Sequence, residues 1–127
     1  MSGGTEQTAA DHELLVLSRP PAGISDEQYN AWYDTHVREV LRLPAFVAAH
    51  RLGLDFVSAT SEPDERFTFL TRYEIAGPFE EAWQQLREAV DGGRMTFEDW
   101  FGGVESQGWR CTPIGSRIEA GAPAGRG

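Results

Sequence analysis

Lysine is missing from this chain altogether, and that absence excludes two chemistries at once. No side-chain amine can form a Schiff base, and no phosphate-binding loop can supply its usual lysine. Cysteine occurs once, at Cys111, so no disulfide closes within these 127 residues and no cysteine set builds a zinc site. Asparagine also occurs once, at Asn30. Positive charge is scarce: 11 arginines stand against 20 acidic residues, for a formal charge of -9. No basic run offers a patch to a phosphate backbone, so nucleic acid is not an expected partner. No apolar run reaches the length that spans a bilayer, and MSGGTEQTAADHE holds no hydrophobic leader. A cytoplasmic protein without membrane partners is the expectation.

What is present is organised around the stretch from Ser25 to Arg51, SDEQYNAWYDTHVREVLRLPAFVAAHR. Ser25 with Gln28 three residues on is a capping-box signal, and Asp26 and Glu27 put negative charge on the first turn. Tyr29, Trp32, Tyr33, His36, Val37, Val40 and Leu41 then recur at the spacing of one helix face. Pro44 ends this helix near Arg42, because the residue before a proline avoids helical geometry. A strand from Phe46 to Leu54 follows at once. Strict alternation sets Phe46, Ala48, His50, Leu52 and Leu54 on one face and Val47, Ala49, Arg51 and Gly53 on the other.

Around that centre the remaining elements fall into order. Residues 1–11 are small and polar and read as a flexible tail. Glu13 to Ser18 is a first strand, closed by RPPAG. After the loop SATSEPDE, Arg66 to Ile75 alternates as a further strand, with Phe67, Phe69, Thr71, Tyr73 and Ile75 sharing one face. Gly77-Pro78 opens a second helix whose buried face is Phe79, Ala82, Trp83, Leu86, Ala89 and Val90, and Gly92-Gly93 stops it. Thr96-x-x-Asp99 starts a short helical turn carrying Phe97, Trp100 and Phe101. The last strand is expected from Gln107 to about Ile118, and residues 120–127 form a second tail.

Strand, helix, strand, strand, helix, strand is the α+β, ferredoxin-like βαββαβ plan with an antiparallel sheet, here one domain over residues 12–119. Two helices cover only one face of such a sheet. Both faces of these strands are apolar or aromatic, so the other face calls for a partner, and a second copy in a symmetric homodimer is the economical cover.

The residues WYDTHVREVLRLPAF resemble the EthD-like branch of the dimeric α/β-barrel proteins. In that pattern an aromatic pair precedes a histidine, and a Leu-Pro-small-aromatic ending leads straight into a strand. Tyr73-Glu74 also fits, and Ala45 stands where the family usually has glycine. The resemblance covers roughly residues 13–118, and the first helix is its distinctive part. It implies paired ferredoxin-like sheets forming a barrel. The chemistries it brings are those of muconolactone isomerases, polyketide cyclases, decarboxylases, dehydratases, cofactor-free monooxygenases and haem-degrading enzymes. The iron-binding histidine of the haem-degrading relatives lies on the second helix, and PFEEAWQQLREAV has none. The cofactor-free oxygenases use a polar trio with an asparagine, and Asn30 sits off the aromatic stripe.

His36 is the leading candidate for chemistry, because a side chain that titrates near neutrality can move protons without a cofactor. The resemblance turns this histidine toward the cavity; its structural alternative is a core histidine bonded to a backbone carbonyl. Trp32 and Tyr33 would exclude water and offer flat surfaces to a ligand. His50 and Arg51 must face opposite sides. Arg51 inward would suit a carboxylate or enolate, and His50 inward would add a second acid-base group. The expected arrangement has His50 inward, since Arg51 can reach solvent along its stem. Tyr33, Tyr73 and Trp109 are expected either in core packing or as donors lining a pocket. Three widely spaced histidines do not make a metal site, so neither metal nor cofactor is expected.

The resulting expectation is a cofactor-free lyase, isomerase or cyclase acting on an apolar, enolisable or aromatic, polyketide-like compound. His36, Tyr33 and His50 would be catalytic, and Trp32, Arg51, Tyr73 and Trp109 would bind substrate. The alternatives are a cofactor-free monooxygenase of the same superfamily, or a dimer that binds a metabolite or serves structure alone.

Overall fold

The computed structural model describes residues 10–121. Four strands and two helices follow in the order β1 His12–Arg19, α1 Asp26–Val40, β2 Phe46–Gly53, β3 Phe69–Ile75, α2 Phe79–Asp91 and β4 Glu105–Cys111. A short 3-10 helix, Asp99–Gly103, precedes the last strand. The sheet runs β2-β3-β1-β4 with every neighbouring pair antiparallel. This is the ferredoxin-like α+β fold.

Local chemistry sets each boundary. The Ser25 hydroxyl accepts from the Gln28 amide at 3.1 Å and caps α1, with Asp26 and Glu27 in its first turn. At the other end, the Ala45 amide donates to Gln85 Oε1 of α2 at 2.9 Å, fixing the sharp passage from α1 into β2. Gly77 supplies a left-handed turn (φ 84°) before Pro78 caps α2, and Gly93 (φ 73°) turns the chain away after it. The expected tails at residues 1–11 and 120–127 lie mostly outside the described residues. Asp11 is nonetheless docked, its amide on the Ile75 carbonyl and its carboxylate taking the Gly77 amide.

Two of the expected strands are shorter than their patterns. β3 enters the ladder at Phe69 rather than Arg66, although the Thr68 amide still reaches the Ser18 carbonyl. β4 stops at Cys111, two residues before Pro113, whose missing N–H cannot extend a ladder. Ile114 and Ile118, expected within that strand, are exposed.

The third departure is in β2. A bulge between Phe46 and Ala48 interrupts the alternation, so Phe46 pairs with Ile75 while Ala49 pairs with Tyr73 and Arg51 with Thr71. Phe46, Ala49 and Arg51 therefore share the helix-covered face. Ala48, His50 and Leu52 pair with Glu74, Arg72 and Leu70 on the opposite face. Strict alternation through Phe46 is thus overturned, and with it the expectation that His50 faces inward.

Between sheet and helices lie two apolar clusters. Leu14, Val40, Phe46, Tyr73, Ile75, Ala82 and Ala89 make one, at the α2 side. Tyr29, Trp32 and Tyr33 make the other, with Phe69, Trp100 and Phe101 against them. The stripe read from the sequence is real, and it is divided between the two clusters.

Candidate active site

The two clusters do not close on one another. Between them lies a cavity of about 320 Å³, bounded by α1 through Tyr29, Trp32, Tyr33 and His36 and by the sheet through Val16, Ser18 and Tyr73. Trp83 and Leu86 of α2 and Phe97 and Phe101 of the following segment complete its walls. Its size suits a small organic ligand, and its lining is mostly aromatic and aliphatic.

His36 sits in this wall. Its ring stacks on Trp32 (centroids 4.9 Å apart, planes 13° apart), meets the Tyr33 ring edge-on at 5.5 Å and lies 5.9 Å from Phe97. Its Nδ1 is buried and has no hydrogen-bond partner among the described residues. The backbone-bonded core histidine is therefore not what that nitrogen forms. Burial disfavours the imidazolium and lowers the His36 pKa to about 4, against a smaller upward pull from Glu39. At neutral pH the ring is uncharged and can accept a proton.

Three tyrosines surround the same space. Tyr29 is fully buried and donates to the Ser18 hydroxyl at 2.8 Å. Burial raises its pKa to about 12 and raises those of Tyr33 and Tyr73 as well, so all three keep their protons. The Tyr73 hydroxyl is buried and makes no well-aligned hydrogen bond among the described residues, although it lies near enough to the Tyr33 hydroxyl to interact with it. A buried donor and a buried ring nitrogen left unpaired on one cavity are costly in an empty protein and useful against a polar ligand atom.

Arg51 stands behind Tyr33. Its guanidinium carbon lies 4.1 Å from the Tyr33 ring centroid, Nη1 donates to Asn30 Oδ1 at 2.6 Å, and Nε donates to Thr71 Oγ1 at 3.3 Å. Nη2 is buried without a partner among the described residues. Desolvation lowers its pKa, yet an arginine stays charged. Its positive field thus reaches the tyrosine cluster from outside the cavity lining.

The expected site residues separate cleanly by position. His36, Tyr33, Trp32 and Tyr73 come together on the cavity. Arg51 supports that group from behind. His50 is exposed on the opposite sheet face, and Trp109, which pairs with Leu15 there, is 57% exposed. Sequence reasoning passed over Ser18, Tyr29 and Phe97 as site residues. Ser18 carried a signal, a polar residue on the inward parity of an apolar strand. Among the described residues, no three His, Cys, Asp or Glu side chains gather as a metal site, and no helix is long and apolar enough to cross a membrane.

No protein-family model matches the chain, and no curated protein does. Solved structures match it in shape. An Arabidopsis thaliana protein superposes with a TM-score of 0.63 at 11% identity, covering 84% of this chain and 99% of its own. A variant of SnoaB, a cofactor-independent oxygenase from Streptomyces nogalater, with alanine replacing one asparagine, gives 0.50 at 16% identity, covering 87% and 100%. A dimeric ferredoxin-like protein of unknown function from Thermobifida fusca gives 0.50 at 8% identity, covering 89% and 100%. At these identities the likeness establishes the fold.

Proposed function

We propose that the chain is a cofactor-independent enzyme that moves a proton on an apolar, enolisable or aromatic compound, with lyase, isomerase or cyclase chemistry as the outcome. The observation that carries this reading is the pair of unpaired polar groups, the His36 ring and the Tyr73 hydroxyl, on one aromatic cavity of about 320 Å³. Neutral His36 takes the proton from carbon. Tyr73 donates to the oxygen on which negative charge develops, and the half-buried Arg51 cation favours that charge from behind Tyr33. Trp32 and Tyr33 hold the ligand's flat face and keep water away. An EthD-like assignment within the superfamily rests on the helix pattern described above.

Two copies are proposed to pair through the open sheet face, where Leu15, Leu17, Leu52, Leu70 and Trp109 lie side by side. The Thermobifida fusca neighbour is dimeric, which supports a second copy as the partner.

The test uses 2-tetralone, a neutral bicyclic ketone with exchangeable α-protons, followed by deuterium uptake in D2O. The native protein is expected to accelerate exchange, and His36→Gln to reduce that acceleration by ~100-fold or more with a nearly unchanged melting temperature. Full acceleration in a destabilised His36→Gln protein would remove His36 from the mechanism. No acceleration by the native protein would reject the proton-transfer reading.

A second reading, cofactor-free oxygenation, is favoured by the likeness to SnoaB. Against it stands Asn30, whose side-chain oxygen is engaged by Arg51 rather than directed to the cavity. Consumption of dissolved oxygen on adding an anthrone would decide for it.

A further inference from the structure

The segment between Gly92-Gly93 and Gly102-Gly103 forms one wall of the cavity, and among the described residues its hydrogen bonds to α1 fall at a single residue. All three polar groups of Thr96 are held by α1. Its amide and its hydroxyl both donate to the Glu39 carboxylate, at 2.9 Å and 2.7 Å, and its carbonyl accepts from Trp32 Nε1 at 2.9 Å. The hydroxyl does not cap the following helical turn, as its spacing to Asp99 suggested; the 3-10 helix has Glu98 at its cap and no side-chain capping bond.

Beyond Thr96 the chain carries Phe97 and Phe101 onto the cavity, their rings 4.5 Å apart, with Phe97 6.2 Å from Trp32 and 5.9 Å from His36. Backbone bonds here are local, from Phe101 to Glu98 and from Val104 to Phe101. At the far end Gly102 borders open space, and Gly103 lies so close to Pro21 that an added Cβ would sit 3.0 Å from it. Among the described residues no ladder bond joins the cover to the sheet; it is held by hydrogen bonds at Thr96 and by the packing of Met95 and Trp100. A ligand reaching His36 from this side must displace Phe97 and Phe101.

We propose that Glu39 is a positioning residue: by gripping Thr96 it holds the Phe97–Phe101 cover over His36 and sets how fast ligands exchange with the cavity. This rests on the reading of that cavity as a ligand site. Two bonds to one carboxylate are strong and directional, so the grip fixes where Phe97 begins. Weakening it changes the population of open covers more than the contacts made by a bound ligand, so association and dissociation quicken together.

The test is stopped-flow binding of N-phenyl-1-naphthylamine, a neutral aromatic whose fluorescence rises in apolar surroundings. Glu39→Gln removes the charge of the acceptor, and Thr96→Val removes the hydroxyl donor at constant shape. Both are expected to raise the association and dissociation rates by about 10-fold, leaving Kd within about threefold, and Thr96→Ser should restore native rates. Ile75→Val, a core truncation outside the cavity lining, serves as the destabilised control and should keep native rates. Unchanged rates in Thr96→Val and Glu39→Gln would overturn the role of Glu39 while leaving the cavity reading intact. Equal acceleration in Ile75→Val would overturn it too, as general loosening. No binding by the native protein would remove the ligand site, and the cover's role with it. Should Glu39→Gln fail to fold, the Thr96 pair carries the same test.

Discussion

On the helix-covered face of the sheet, polar atoms are buried and several lack partners among the described residues; on the opposite face they are open to water, and one pair meets as ions. Tyr73 and Arg51 illustrate the first condition, each keeping a buried donor that is unbonded among the described residues. Arg72 illustrates the second. It meets the Glu13 carboxylate with two bonds, at 2.7 Å and 3.2 Å, with both side chains partly open to water. The same strands make both faces, so composition is not what separates them. Unpaired buried groups raise the free energy of the protein alone and have a use only against a ligand. An exposed ion pair contributes little to stability and leaves the surrounding leucines to make any contact.

A charge placed among those leucines tests the outer face most severely. Leu17 and Leu70 are register partners there, and the double substitution Leu17→Asp, Leu70→Asp should weaken self-association by about 1,000-fold, on the order of 4 kcal/mol. Sedimentation over a concentration series measures this. A native protein that sediments at 14.1 kDa throughout would mean that the outer face is simply solvated.

The inner face should register acid. His36 titrates lower folded (about 4) than unfolded (near 6.5), so between those values the unfolded chain binds the extra proton. Its contribution is therefore complete above pH ~6.5 and is lost as pH falls toward 4, a difference of roughly 3 kcal/mol. Urea unfolding at pH 7 and pH 4 should show that loss in the native protein and a smaller one in His36→Gln. Equal losses would mean that water reaches the ring freely.

Tyr29→Phe removes one hydroxyl and leaves Ser18 buried without its donor. A cost of about 1–3 kcal/mol is expected, read as a lower melting temperature. A neutral result would show that the Ser18–Tyr29 pair is dispensable to packing. The smallest effect belongs to His50→Gln, on the outer face, which should leave 2-tetralone exchange within about twofold of native. A loss comparable to that of His36→Gln would erase the functional distinction between the faces.

Much of this arrangement is legible in the sequence because it is local. The Ser25 cap, the stop at Pro44 and the three-and-four spacing of Tyr29, Trp32, Tyr33 and His36 all express geometry within a few residues. The order of strands and helices follows from those same signals. What escaped is non-local. Whether Arg51 or His50 turns inward depends on a bulge that is invisible until β2 pairs with β3. Thr96 looked like a helix cap because that fits its neighbours, yet its hydroxyl goes to Glu39, 57 residues away in the chain. Trp83, expected on the buried face of the second helix, lines the cavity and remains 42% exposed.

The bulge at Phe46–Ala48 has a meaning for heredity as well as for shape. Val47 stands opposite no residue of β3, while the partners on either side of it follow one another without a gap. A single lost codon at Val47 would therefore erase the bulge and leave Ala49 against Tyr73 and Arg51 against Thr71. The bulge is a spare residue, and it lets this strand lose one amino acid without exchanging its two sides.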